Sequence, residues 1–314
     1  MPKTQTTKVP TTAPAQRGGG TVEREFTVAE RKQWQLILRR FTRHRMAMVS
    51  IIVLVLLILI AYVGPHFWKY SATEITPDHA FRSAPNLAHP FGTDDAGHDY
   101  MARVFRGTQQ SLKIAAIVAL LSTTIGAPYG AISGLIGGKV DAIMMRLCDL
   151  LLVLPLLVVA AALASSHSGD TVLIVALVLG LLGWPVNARQ VRGVVLGLRE
   201  QEFVEAARAM GAGTWRIVFR HLLPNATGTI LVQATLDIAG AILGEAALSF
   251  LGLGVQAPDT SLGLLINQAR TSVDTLPWLF YLPGVVIILI ALTINFIGDG
   301  LRDAFDPRQT RQRR

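Results

Sequence analysis

Four ionisable side chains in one short stretch have the residue types of a site for a hard metal ion. Three are carboxylates and one is an imidazole: Asp94, Asp95, Asp99 and His98. Oxygen-rich cation sites depend on a defined loop spacing, and the spacing here fits no such loop. We therefore predict that the chain has no metal-binding residues.

Asp237 and Glu245 are the informative ionisable residues inside an apolar run. At eight positions apart they lie about 80° from each other around a helix. A carboxylate at the middle of a bilayer costs about 2.5–3.5 kcal/mol, so each side chain must face protein or water. Two roles stay open: a polar wall of a translocation path that attracts the amino terminus of a peptide, or a structural contact with a neighbouring helix.

Residues 133–140 look like a phosphate-binding loop but lack two of its defining residues. Ser133 stands at the position of the first glycine, and Val140 follows Lys139 where a hydroxyl residue is required. The chain also lacks a Ser/His/Asp arrangement and a His-x-x-x-His spacing. We predict no catalytic residues and no cofactor bound by this chain, so any reaction that uses ATP must take place on a partner.

Composition points to a membrane protein. Of the 314 residues, 51% are hydrophobic and 16% are charged, and the mean hydropathy is +0.44. A soluble chain carries about 25% charged residues. The net charge of +8 comes from basic residues beside apolar runs, which indicates membrane topology and not a nucleic-acid partner. Cys148 is the only cysteine, so an intrachain disulfide is excluded.

The apolar runs predict an all-α integral membrane protein with six transmembrane helices. Four or five spans follow the first, depending on how the run near residue 140 is divided, and we count five. The predicted spans are residues 46–63, 114–136, 142–164, 171–187, 226–253 and 278–297. Around them we expect a tail over 1–45 with an amphipathic helix at 27–41, an extracytoplasmic segment at 64–110, a five-helix core over 111–300 and a basic tail at 301–314. We also expect Arg146 to pair with Asp149, and Trp184 to anchor a span at the membrane interface.

Basic residues orient these helices. They are frequent in the N-terminal tail, between residues 189 and 220, and in the C-terminal tail. The 165–170 loop has none, and the 256–275 loop has only Arg270. The positive-inside rule then places both termini and the 200–224 stretch in the cytoplasm, with the chain crossing the cytoplasmic membrane several times.

The 200–224 stretch predicts two short amphipathic helices at a bend. Helical spacing relates the apolar residues of the first helix, Phe203, Ala206, Ala207 and Met210, and those of the second, Trp215, Val218, Phe219 and Leu222. We expect Gly211 to cap the first helix, Thr214 to cap the start of the second, and Pro224 to end it.

The same stretch resembles the EAA loop of ABC-importer permeases. The resemblance rests on Glu205, Ala206, Ala207 and Gly211, followed by His221-Leu222-Leu223-Pro224. It implies a type I ABC-importer permease fold in which this stretch is the coupling helix that docks on a cytoplasmic ATPase. The residues it assigns to ATPase coupling are Glu205, Ala206, Ala207, Gly211, Arg216, Arg220 and Pro224. His221 stands where most members have an aliphatic residue.

A second motif is similar to an extracytoplasmic signature of peptide- and nickel-type ABC permeases. The matching residues are Gly92, Thr93, Asp94, Gly97 and Asp99, and residues 244–254 resemble a stretch of the C-type subunits of dipeptide and oligopeptide permeases. His98 and Gln109 replace two arginines of the family.

The resemblance implies a permease subunit that imports short peptides. It also implies its partners: a second homologous permease subunit, two ABC ATPases, an extracytoplasmic peptide-binding protein and membrane lipid. Import of nickel or another small chelate, and an ion-driven secondary transporter, remain as alternatives.

Overall fold

The computed structural model describes residues 33–75, 81–156, 158–159, 162 and 170–305. In this part of the chain the regular secondary structure is helical, with two isolated β-bridges besides. The helices are α1 (Gln33–Arg43), α2 (Arg45–Phe67), α3 (Tyr100–Ile136), α4 (Gly138–Val153), α5 (Thr171–Leu198), α6 (Glu202–Ala209), α7 (Thr214–Ile217), α8 (Leu223–Phe250), α9 (Leu262–Ala269) and α10 (Pro277–Phe305).

Five helical stretches in the described part are long and apolar enough to cross a membrane. They are Arg45–Phe67, Tyr100–Ile136, Thr171–Leu198, Thr214–Phe250 and Pro277–Phe305, and they correspond to five of the six predicted runs. The remaining run, 142–164, begins within α4. That helix ends where Leu154 turns extended before Pro155, as a residue preceding proline tends to do. Much of the rest of this run lies outside the described residues, so the sixth span stays a prediction.

The predicted amphipathic helix at 27–41 is described from residue 33 onward as α1. Its C-terminal end is tied to the end of α10, because the ring of Phe41 packs beside Gly300 and His44 lies 3.5 Å from a carboxylate oxygen of Asp303. His44 also caps α2 by accepting a hydrogen bond from the backbone N–H of Ala47 at 3.1 Å. The two ends of the described chain are therefore joined at one end of the bundle.

The central pair of helices is α3 and α5, which cross at a stripe of glycines. A methyl group added to Gly126 would lie 2.6 Å from Cβ of Asn187, and one added to Gly134 would lie 2.9 Å from a methyl carbon of Val195. At Gly130 the added carbon would collide with the backbone of Ala188. Small residues let helix backbones approach closely within a membrane, where packing drives helix association.

Helices α8 and α10 run antiparallel and meet at two further glycines. Gly228 of α8 receives the ring of Phe305, and Gly298 of α10 receives the side chain of Thr235. A core of buried apolar residues joins these two helices to α3 and α5, with Ile114, Ile242 and Ile290 fully buried in it.

Three local expectations are wrong. Helix α5 continues through Pro185 to Leu198, so Trp184 is buried in the bundle beside Tyr129 (ring centroids 4.8 Å apart) and does not mark a helix end. Asp149 pairs with Arg189 of α5, and the expected partner Arg146 is exposed. The 256–275 loop contains α9, whose residues Leu262, Leu264 and Leu265 are buried.

Candidate coupling surface and translocation path

Helix α6 ends in a glycine-dependent cap. The backbone N–H of Ala212 donates to the carbonyl of Ala207 at 3.0 Å, and that of Gly211 donates to Arg208 at 2.9 Å. This is the Schellman pattern, and Gly211 adopts the positive φ of 79° that it requires. The predicted cap at Gly211 is confirmed, and it sets the angle between α6 and α7.

The second helix differs from the prediction at both ends. Gly213, not Thr214, is the N-cap residue of α7. Pro224 does not end the helix, because α7 continues through a π-helical turn (Val218–Leu222) into α8, where Pro224 occupies the first turn. Pro224 has no backbone N–H to donate, and it is accommodated directly after the π-helical turn, where the regular i→i−4 hydrogen-bond ladder is already interrupted. Helix α7 is thus continuous with a membrane span, whereas α6 is separated from it by the turn at Gly211.

One face of α6 and α7 is buried against the ends of α3 and α5. The buried side chains from the 200–224 stretch are Val204, Ala207, Ile217, Val218 and Leu222. They share an apolar cluster with Ala127, Ala131 and Leu135 of α3 and with Val191 and Val195 of α5. A displacement of α6 or α7 must therefore act on the α3–α5 pair.

The opposite face exposes apolar side chains from the predicted apolar stripes. Trp215 is 66% exposed, Phe219 51% and Met210 82%, and Phe203 is also exposed. The rings of Trp215 and Phe219 stack with centroids 5.8 Å apart. Glu205, Arg216 and Arg220 are exposed in the same stretch. The result is an apolar surface with charged neighbours, which we call the aromatic patch (Phe203, Met210, Trp215 and Phe219).

His221 lies in the π-helical turn, beside Phe203 of α6. Its ring is 6.5 Å from that of Phe203, and its carbonyl accepts a hydrogen bond from the side-chain amide of Asn225 at 2.6 Å. The imidazole thus extends the contact between the two short helices, where an aliphatic side chain would serve equally.

A polar clamp fixes α4 to the same end of the α3–α5 pair. The guanidinium of Arg192 donates two hydrogen bonds of 2.6 Å to Asp141, and Ser133 donates a third. These donors hold the pKa of Asp141 below its usual value, with Arg192 contributing most and burial acting in the opposite direction. Arg199 adds a hydrogen bond of 3.1 Å to the carbonyl of Gly134.

Asp237 lies partly buried on α8 and faces α5. Its carboxylate accepts hydrogen bonds from the side-chain amides of Asn187 at 2.6 Å and Gln233 at 3.2 Å. It also lines a cavity of about 340 Å³ whose other walls are mostly leucines, with Ser122 as a further polar side chain. This is a carboxylate at the edge of an apolar chamber.

Glu245 is fully buried and lies in a different environment. Its carboxylate accepts hydrogen bonds from Ser111 of α3 at 2.9 Å and Ser249 of α8 at 2.7 Å. Each serine oxygen in turn accepts a backbone N–H, from Leu262 at the start of α9 and from Val255 respectively. Glu245 does not line the chamber beside Asp237. The geometry favours its structural alternative: it joins α3, α8 and α9.

The signature residues before α3 build the cap of that helix. Asp99 is the N-cap and accepts hydrogen bonds from the backbone of Ala102 at 2.8 Å and from the indole of Trp68 at 2.9 Å, while its second oxygen lies 2.7 Å from a ring nitrogen of His89. Thr93 accepts the backbone N–H of Ser83 at 2.8 Å. Gly92 and Gly97 adopt positive φ values of 74° and 83°.

Asp94 closes the same turn. It accepts the backbone N–H groups of Ala96 at 2.9 Å and His98 at 2.8 Å, and it forms an ion pair with Arg103. Burial favours a raised pKa for Asp94, but Arg103 and the His98 backbone outweigh burial and hold the pKa below its usual value. Since these donors occupy its carboxylate, Asp94 serves the turn.

Both replacements of family arginines have a local explanation. The His98 ring lies 3.1 Å from an oxygen of Asp94, within the turn that Asp94 closes. Gln109 donates a hydrogen bond of 2.7 Å to the carbonyl of Ala61 and so links α3 to α2. Both side chains are therefore engaged in local contacts.

Two family models match the chain. One is described as the inner membrane component of binding-protein-dependent transport systems and matches residues 126–311. The other is the N-terminal transmembrane domain of oligopeptide transport permease C and matches residues 32–88. The chain belongs to the family of binding-protein-dependent inner membrane permeases. It is therefore a multi-pass protein of the inner membrane.

Full-length relatives agree with this assignment. The oligopeptide transport system permease protein OppC of Mycobacterium tuberculosis is 41% identical over 280 residues, which cover 89% of this chain and 96% of the relative. A putative peptide permease protein of Brucella suis is 45% identical over 274 residues, covering 86% and 89%. An OppC protein of Haemophilus influenzae is 38% identical over 286 residues, covering 90% and 91%.

The fold of this permease is similar to that of a solved transporter. An inward-facing structure of a methionine ABC transporter superimposes with a TM-score of 0.52 at 20% identity, over 66% of this chain and 98% of that chain. The longer family match includes the 200–224 stretch, Asp237 and Glu245. The signature residues 92–99 lie between the two matched ranges.

Sequence reasoning was incomplete for three features of the permease. Helical periodicity placed the residues of the aromatic patch in the same apolar stripes as Val218 and Leu222, and it does not show which members of a stripe pack inside the protein. The Asp141–Arg192 pair joins residues far apart in the chain, and no local spacing signals it. Gly126, Gly130 and Gly134 recur at four-residue intervals and predict close helix packing, but they do not show that α5 is the partner helix.

Proposed function

We propose that this permease is one membrane subunit of an ATP-binding-cassette importer for short peptides. In this proposal both termini and the 200–224 stretch face the cytoplasm. Its partners are a second homologous permease, two ABC ATPases that bind the ATP and magnesium, and an extracytoplasmic peptide-binding protein. The peptide assignment is supported by the names of the full-length relatives and by Asp237, whose carboxylate beside an apolar chamber suits an ammonium group and small side chains.

The observation that carries the proposal is the two-sided character of α6 and α7. One face packs into the apolar cluster with α3 and α5, and the other exposes the aromatic patch. Large exposed apolar side chains with charged neighbours are typical of protein–protein contacts, in which a few aromatic and arginine residues supply most of the binding energy. We assign the aromatic patch, with Glu205, Arg216 and Arg220 beside it, as the surface that an ATPase grips.

A mechanism follows from the packing. When the two ATPases close on ATP, they displace α6 and α7. Because α7 continues into α8 and both short helices are packed on α3 and α5, the displacement rotates these spans together, as in a rigid-body switch between inward- and outward-facing states. Gly211 fixes the angle between α6 and α7, and the Asp141–Arg192 ion pair makes α4 move together with α5.

The test uses variants that weaken the contact with the ATPase without disturbing the fold. Trp215→Ala and Phe219→Ala truncate side chains that are mostly exposed, so membrane insertion and thermal stability should stay close to those of the wild type. We expect the ATPases to dissociate more readily, because truncating an aromatic anchor at an interface costs about 2 kcal/mol or more. The readouts are the fraction of ATPase retained during purification and the ATP-dependent uptake of a short peptide by proteoliposomes.

Phe250→Ala is the matched control. This phenylalanine is 38% exposed and lies at the far end of the same continuous helix. If the Trp215 and Phe219 variants retained their ATPases and transported as well as the control, the assignment of the aromatic patch would be wrong.

A further inference from the structure

A second cavity lies next to the apolar chamber beside Asp237, and its lining is more polar. It has no part in the proposed coupling mechanism. It has a volume of about 320 Å³ and lies between α5, α8 and α10. Its polar side chains are Gln190, Thr229, Gln233 and Arg302, and Phe305 forms one wall. Leu236 lines both cavities, so they are neighbours along α8.

The cavity is rich in hydrogen-bond donors. Arg302 is exposed and forms no hydrogen bond or ion pair with any described residue, although Asp299 lies one turn away on α10. The nearby Asp303 lies beside His44 instead. A guanidinium offers five N–H donors in a planar fork that matches a carboxylate. Gln190 and Gln233 can add amide donors, so the lining suits an anion.

The register of α8 and α10 gives the distance to Asp237. Gly228 lies opposite Phe305 and Thr235 lies opposite Gly298, so the antiparallel pairing places Arg302 level with residue 231. Asp237 is six residues further along α8, a separation of about 9 Å along the helix axis. An extended tripeptide spans about 10 Å. The backbone positions of Arg302 and Asp237 are therefore separated along the helix axis by about the length of a short peptide.

Gln233 is close to both cavities. It lines the Arg302 cavity and donates a hydrogen bond of 3.2 Å to Asp237. The exposed and partly exposed positions Thr229, Gln233, Leu236 and Gly240 follow one another at helical spacing, so a single face of α8 presents both cavities.

We propose that Arg302, together with Gln190 and Gln233, is a binding site for the carboxylate of a translocated peptide, while Asp237 takes its ammonium group. This inference rests on the proposed function. It defines the substrate class further, as peptides of two or three residues with both termini free. The carboxylate site lies nearer the cytoplasm than Asp237, so it is the last contact before release.

The experiment uses the complete transporter with its binding protein in proteoliposomes, and compares uptake of trialanine with that of trialanine amide. Arg302→Gln should lower trialanine uptake about tenfold, since a hydrogen bond to a charged group is lost. Uptake of the amide, measured relative to the wild type, should change less than about twofold. Arg302→Lys should restore part of the trialanine uptake. Arg39→Gln removes an exposed charge on α1 and should affect neither peptide.

The outcomes separate the possible failures. If the wild-type transporter takes up no trialanine, the proposed function fails and the carboxylate site fails with it. If Arg302→Gln lowers uptake of both peptides equally, or of neither, only the carboxylate site is overturned. The assay is repeated in vesicles of phosphatidylcholine alone. A defect that needs anionic lipid would assign Arg302 to a lipid headgroup and would also overturn the proposal.

Discussion

Substitution of Gly130 tests whether the α3–α5 crossing transmits motion. In Gly130→Ala the new methyl carbon would lie 2.9 Å from the carbonyl carbon of Ala188, and closer still to its oxygen. Carbon atoms pack at about 3.5–4.0 Å, so the two helices must separate by about 1 Å. A backbone neighbour has no rotamer with which to make room. We expect a loss of stability of about 1–3 kcal/mol, the usual cost of overpacking.

The functional consequence is the more specific part of this prediction. Separating the helices distorts the cluster that seats Val204 and Leu222, so peptide uptake per ATP hydrolysed should fall further than the amount of folded protein does. The assays are denaturant unfolding in detergent, and coupled measurement of uptake and ATP hydrolysis in proteoliposomes. Gly193→Ala is the control, because its added methyl group meets nothing within 4 Å. Equal stability and equal coupling in the two variants would refute the reasoning.

Three further predictions concern single side chains. Gly211→Ala forces a positive φ of 79° on a residue with a Cβ, which costs about 1–2 kcal/mol, and it should uncouple peptide uptake from ATP hydrolysis. The control Gly213→Ala, at a φ of −70°, should leave coupling intact, and equal coupling in the two variants would refute this prediction. In the wild type the ion pair with Arg192 lowers the pKa of Asp141. The ion pair therefore stabilises the fold above the usual carboxyl pKa of about 4, and this stabilisation is lost as the pH falls through the lower folded-state pKa. Asp141→Asn removes the ion pair at every pH. The melting temperature of the wild type should exceed that of Asp141→Asn at neutral pH, and the difference should shrink as the pH is lowered. A difference that does not change with pH would contradict this prediction. Glu245→Gln can still form hydrogen bonds with Ser111 and Ser249, so it should cost about 1 kcal/mol or less of stability. The KM for peptide should stay unchanged, and a raised KM would mean that Glu245 contacts the substrate.

The sequence was sufficient for features that depend on local chemistry. The apolar run at 46–63 appears as α2, and Gly211 caps α6 because a left-handed position favours glycine strongly. The family resemblance of the 200–224 stretch was visible from the spacing of Glu205, Gly211 and Pro224, and the family is confirmed by the matched models.

The sequence was insufficient wherever a neighbour decides the outcome. Trp215 and Phe219 share helical spacing with Val218 and Leu222, but only the latter pair meets α3 and α5, and the pattern does not encode that contact. Trp184 has the composition of an interface residue, yet it is buried because α5 continues beyond Pro185. Asp149 was expected to pair with Arg146, one turn away, but it pairs with Arg189, which is forty positions distant in the chain.

In the proposed mechanism, partner subunits hydrolyse ATP and move these helices through the 200–224 stretch. The most direct measurement is peptide uptake by proteoliposomes that contain the permease pair and binding protein, with and without the ATPases, for the wild type and for Trp215→Ala. We predict uptake only when ATPases and ATP are both present, and a loss of uptake in the variant while its fold is retained. Uptake that needs no ATPase and follows an ion gradient, or undiminished uptake by the variant, would contradict the account.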